Sequence, residues 1–149
     1  MKTKIVYTVV SDETDIFIEQ ALLSIYSLRK HNPDAFVELV IDQVTNGSIN
    51  GKRCEIKNHI NKLTVVEVPN SYNKGQRSRW IKTNLRNLIE GDFLFIDTDT
   101  IITDSLEEID GFDGDIGAVK DKHATVKHNK DKDKLLLWSK QDSWTYSED

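Results

Sequence analysis

The amino-acid sequence predicts an α/β fold with a mostly parallel, Rossmann-like central sheet and helices on both faces. Short apolar runs of five or six residues alternate with amphipathic stretches in the order β-α-β-α-β-α-β. The runs are nearly continuous in Val, Ile, Leu and Phe, as strands covered on both faces require. The chain has 149 residues, 38% hydrophobic and 30% charged, which fits one domain over residues 1–149 with a poorly defined tail at 120–149.

IVYTVV at residues 5–10 is the first strand, and polar Ser11-Asp12-Glu13-Thr14-Asp15 follows it. Thr14 or Asp15 can cap the next helix, while Ser11 and Asp12 lie at the strand's carboxyl end, where a nucleotide base or ribose could be held. Ile18, Ala21, Leu22, Ile25 and Leu28 recur at helical spacing and predict a helix over 16–31. Arg29, Lys30 and His31 complement its negative end, and Pro33 stops it. Residues 36–41 form the second strand, 43–51 a turn-rich loop, 52–61 a weaker helix, and 63–68 a third strand closed by Pro69. Cys54 reads as a half-buried residue of that weaker helix.

The next helix, over 76–90, buries Ile81, Leu85, Leu88 and Ile89 and carries Arg79, Lys82 and Arg86 on its other side. Gly91 suits its C-cap, and residues 93–96 are the fourth strand. Beyond it, Ile101-Ile102 predicts a short strand, 104–109 one helical turn, and DIGAV at 115–119 a further short strand. His123 and His128 fall in a polar stretch and read as solvated; Leu135 to Trp138 is an apolar patch that would suit a partner surface.

A net charge of -5 argues against nucleic acid or an anionic membrane as a partner of the whole molecule. No apolar run approaches the ~20 residues of a membrane span, and no secretory signal is present, so a cytoplasmic protein without a transmembrane segment is expected. A single cysteine excludes an internal disulfide framework. Strand-like sequence by residue 5 implies that the fold begins at once.

The chemistry concentrates in FLFIDTDT, residues 93–100, where Asp97 and Asp99 follow the fourth strand. Their bland role is a pair of solvated or capping acids. Their sharper role is to hold a cation, since Mg2+ or Mn2+ bridges carboxylates to substrate phosphates. Neither Gly-x-Gly-x-x-Gly nor a P-loop occurs, so a phosphate would have to be neutralised by that cation and by a basic side chain such as Lys82 or Arg79.

Asp-x-Asp after the fourth strand, the Ser11-Asp12 loop after the first, and the basic helix before the motif together resemble the GT-A glycosyltransferases. The nearest likeness is to the retaining group containing glycogenin and bacterial lipopolysaccharide galactosyltransferases. The resemblance covers residues 4–120 and implies a GT-A sandwich. It implies a metal-dependent enzyme that transfers a sugar from a nucleotide diphosphate donor, a UDP-sugar, to a saccharide, lipid or protein acceptor. By resemblance, Asp97 meets donor ribose and metal, Asp99 is the principal ligand of Mn2+ or Mg2+, and Thr98 fills the variable position. Ser11 and Asp12 bind the nucleotide, Lys82 reaches the donor as a leaving-group stabiliser, and Arg79 accompanies it. DIGAV with Asp121 borders sugar and acceptor. By the same resemblance a further metal ligand, often His, is expected from a segment far beyond the motif; His123 and His128 come too early to match it.

Two alternatives stay open. A haloacid-dehalogenase-type phosphatase would use Asp97 as nucleophile and Asp99 for the proton, although Thr100-Ile101 replaces the usual Gly-Thr. A noncatalytic module would bind nucleotide without turnover.

Overall fold

The β-branched run at the start of the chain forms β1 (Lys4–Val9) in the computed structural model, which describes residues 1–118. It is followed by α1 (Phe17–His31), β2 (Val37–Asp42), α2 (Gln43–Ser48), a 3-10 helix (Gly51–Asn58), β3 (Lys62–Val66), α3 (Lys74–Leu88), β4 (Phe93–Phe95) and a second 3-10 helix (Glu107–Gly111). The strands make one sheet in the order β3-β2-β1-β4, and every pairing is parallel.

Helices cover both faces. Ile5, Tyr7 and Val9 of β1 and Val37, Leu39 and Ile41 of β2 pack against Ile18, Ala21, Ile25 and Leu28 of α1 and against Ile56 of the 3-10 helix. The alternate side chains, Val6, Val40 and Val66, meet Ile81 and Leu85 of α3 and Ile89 just beyond it. Because successive strand residues point to opposite faces, each apolar run feeds two cores at once.

Several expectations are corrected. Residues 43–48 are a helix, not a loop, because the Asp42 carboxylate caps it by accepting from Thr45 N-H at 2.8 Å. The weaker helix is of the 3-10 type, with Ile56 its only buried residue, and Cys54 on it is exposed. α3 starts earlier than residue 76, because Asn73 and Gln76 form a reciprocal capping box. At its other end Arg86 donates to the Gly91 carbonyl at 2.7 Å, and Gly91, at φ 77°, turns the chain into β4.

Ile101-Ile102 is not a strand. The backbone here is satisfied by side chains of α1 and its C-cap: Ile102 N-H donates to Ser27 Oγ and Leu106 N-H to Asn32 Oδ1, each at 2.8 Å. Asp110 then accepts from the backbone N-H groups of Lys2 and Thr3 at 2.7 and 2.8 Å.

The chain divides into two units, Met1–Phe112 and Asp113–Asp149, and all elements above belong to the first. In the second, residues 115–118 form no strand, while Val119, Asp121, His123, His128 and the apolar patch lie outside the described residues. Among the described residues no helix is long and apolar enough to cross a membrane.

Candidate functional site

The strand order sets the position of the site. From β1 the chain steps outward to β2 and β3, and α3 then returns it to β4 on the other side of β1. This reversal leaves a crevice at the carboxyl ends of β1 and β4, the place where open α/β sheets bind ligands. A cavity of about 450 Å³ occupies it. Thr8, Val9 and Val10 line it from the end of β1, Phe17 and Gln20 from the first turn of α1, and Asp97, Thr98 and Asp99 from the loop after β4. Lys74, Ser78 and Lys82 come from α3 at one-turn spacing and share the face that looks into the crevice.

Asp97 and Asp99 are exposed and Thr98 is half-buried. Lys82 Nζ donates to Asp97 Oδ1 at 2.5 Å and rides 5.5 Å from the centre of the Phe95 ring. Among the described residues Asp99 makes no ion pair and no side-chain hydrogen bond. Thr100 Oγ1 donates to the Asp97 carbonyl at 2.7 Å and so closes the turn that carries both acids.

Among the described residues no group of three or more His, Cys, Asp or Glu side chains is gathered as a metal cage. The two carboxylates nevertheless match the donor chemistry of Mg2+ or Mn2+, hard cations commonly held by one or two carboxylates with substrate phosphates and water completing the shell.

Ser11 and Asp12 do not line the crevice. Ser11 is buried; its N-H donates to Thr45 Oγ1 at 2.9 Å and its hydroxyl to Asp15 Oδ1 at 2.6 Å. Asp12 Oδ1 accepts from the backbone and hydroxyl of Thr14 at 2.9 and 2.6 Å, and Asp12 Oδ2 lies 2.5 Å from Lys74 Nζ. Lys74 also reaches Asp15 Oδ2 at 2.8 Å. The Lys74 ammonium, followed by the Thr14 hydrogen bonds, holds the Asp12 carboxyl far below the usual carboxylate range, and the two carboxylates raise Lys74 in turn. For Asp15, burial pushes upward, but bonds from Lys74, Ser11 and two backbone N-H groups prevail and the net shift is downward. Asp15 also accepts from Phe17 N-H at 3.1 Å, although the N-cap position itself is Ile16. Thr14 is engaged with Asp12 instead of capping.

Arg79 is exposed and stands off the crevice. The structure draws in three basic residues that the sequence reading did not single out. Lys74 lies on the crevice face one helical period before Ser78. Arg77 is buried and donates to Asp42 Oδ2 at 2.5 Å, tying the first turn of α3 to the end of β2. Arg53 grips the β1-α1 loop through the carbonyls of Asp12, at 2.6 Å, and of Asp15, with Glu19 bracing it at 2.8 Å. Two signals were available: the Asn73-x-x-Gln76 capping box fixes the helix start, and Arg77 stands at one-turn spacing from Ile81 and Leu85 on the buried stripe.

No protein-family model matches the chain, and no curated protein sequence matches it.

Proposed function

We propose that the chain is a metal-dependent glycosyltransferase of GT-A type, or its donor-binding half. In this reading the crevice takes a nucleotide diphosphate sugar, a UDP-sugar, and passes the sugar to a saccharide, lipid or protein acceptor in the cytoplasm. The observation that carries the reading is the convergence of Asp97, Asp99 and Lys82 on one crevice at the reversal of strand order.

Charge supports it further. Along the crevice and its rim, the ammonium groups of Lys74 and Lys82 face the carboxylates of Asp12, Asp15, Asp97 and Asp99. The crevice lining itself carries two acids, Asp97 and Asp99, and two bases, Lys74 and Lys82, so a divalent cation on the acids would add the positive charge that a diphosphate needs. When bound on Asp97 and Asp99, Mn2+ or Mg2+ would supply Lewis-acid stabilisation of diphosphate oxygens. Lys82 contributes a mobile positive charge that exchanges Asp97 for the negative charge developing on the leaving diphosphate. Val9, Val10 and Phe17 offer an apolar wall for the nucleoside.

The experiment is UDP release from a panel of UDP-hexoses with Mn2+. Release from at least one donor, reduced about a hundredfold or more in Asp99→Asn, is expected. UDP binding without release would assign the crevice to a noncatalytic nucleotide-binding module, and hydrolysis of simple phosphate esters through Asp97 to a phosphatase.

A further inference from the structure

After β4 the chain from residue 97 to residue 106 forms no strand, and polar side chains of α1 and its C-cap hold it in place. Ser27 and Asn32 take the backbone at Ile102, Asp104 and Leu106. Ser24 acts nearest the acidic turn: its Oγ lies 3.2 Å from Thr100 Oγ1 and 3.2 Å from Tyr7 Oη. Thr100 Oγ1 in turn donates to the Asp97 carbonyl. Tyr7 and Ser24 are fully buried, in the core between the sheet and α1.

Hydroxyls are poor choices for an apolar core unless each proton and lone pair is used. The Asp97 carbonyl only accepts, so Thr100 donates to it. Ser24 donates to Tyr7 Oη, and Thr100, whose proton goes to Asp97, meets Ser24 Oγ as a hydroxyl contact at 3.2 Å. Thr100 thus ties itself to the Asp97 backbone and rests on Ser24, which is anchored in turn on Tyr7 in the middle of β1.

We propose that Tyr7, Ser24 and Thr100 are positioning residues for the acidic turn, fixing the Asp97 backbone and with it the relative aim of the Asp97 and Asp99 carboxylates at a divalent cation. The inference rests on the donor-site reading. Small cations that demand near-octahedral geometry depend on such aim, whereas Ca2+ accepts irregular shells. The three hydroxyls thus set cation selectivity, a property that stability alone would not move.

The test is calorimetric titration of the full chain with MgCl2, MnCl2 and CaCl2 in the presence of UDP. Thr100→Val, which keeps shape and loses the hydroxyl, weakens Mg2+ and Mn2+ by about tenfold or more while Ca2+ changes far less. Thr100→Ser restores selectivity, and Ser24→Ala and Tyr7→Phe shift it in the same direction as Thr100→Val, so the result does not hang on one variant. Unchanged affinities in the variants, or equal losses for all three cations, would overturn the proposal. If the unaltered chain binds none of the cations with UDP, the donor-site reading falls and this one with it.

Discussion

Lys82 Nζ and Asp97 Oδ1 meet at 2.5 Å across the crevice, with the two side chains 40% and 50% exposed. A pair this open to water is worth about 0–1 kcal/mol, so Lys82 leaves Asp97 at little cost when a stronger anion enters. This ease of exchange links the observed contact to the proposed role.

Lys82→Ala is therefore expected to change folding stability by no more than about 1 kcal/mol. It should weaken UDP binding with Mn2+ by about tenfold or more, the loss of one hydrogen bond to a charged group. Uridine binding should hardly change. Calorimetry with both ligands checks this, and equal losses for UDP and uridine would count against the assigned role.

Arg77 and Arg79 are two residues apart and opposite in consequence. Arg77→Ala strands the buried Asp42 carboxylate and is expected to destabilise the fold by about 3 kcal/mol or more. Arg79→Ala, on an exposed site, should stay within about 0.5 kcal/mol. Urea denaturation of both variants reads the difference; similar midpoints would refute the contrast.

Lys74→Met removes the ammonium shared by Asp12 and Asp15. The expected stability loss is small, because these charges are open to solvent screening. The more telling readout is Asp12 itself, whose carboxyl, freed of its first and strongest partner, should titrate markedly higher by NMR. An unmoved Asp12 would mean that the Thr14 bonds alone hold it down.

Acid should unfold the chain partly through Asp110, whose carboxyl is lowered from its ordinary 3.8 to about 2 by the backbone N-H groups of Lys2 and Thr3. A depressed folded-state value gives stability that is present above about pH 4 and lost as pH falls toward about 2. Asp15 acts in the same sense. So does Glu38, where burial pushes upward but Thr64, Lys62 and Lys4 prevail. Urea midpoints of the unaltered chain and Asp110→Asn should differ at pH 6 and converge toward pH 2. Parallel curves would contradict the assignment.

Much of the fold was legible because its signals are local. A continuous β-branched and aromatic run marked β1, a mostly apolar one marked β2, and the stripe Ile18-Ala21-Ile25-Leu28 marked α1 with its covered face. The elements misread were those set by one side chain or by distant partners. Asp42 turns 43–48 from loop to helix, and Ser27 and Asn32 supply to residues 102–106 the bonds that a strand would have made. The crevice acids were visible as a motif. Lys74 was not, because its importance depends on Asp12 and Asp15 arriving from a loop about sixty positions away, and no periodicity reports that. Ser11 and Asp12 were read as ligand contacts from their place at a strand end; in the structure the capacity of both is taken up by Thr45, Asp15, Thr14 and Lys74.

The most direct test of the central claim is the melting temperature of the full chain with UDP alone, Mn2+ alone and both together. The proposed donor site predicts a rise with both that exceeds the sum of the separate effects, and its disappearance in Asp99→Ala. An additive response in the unaltered chain, or a coupled rise that survives Asp99→Ala, would contradict it.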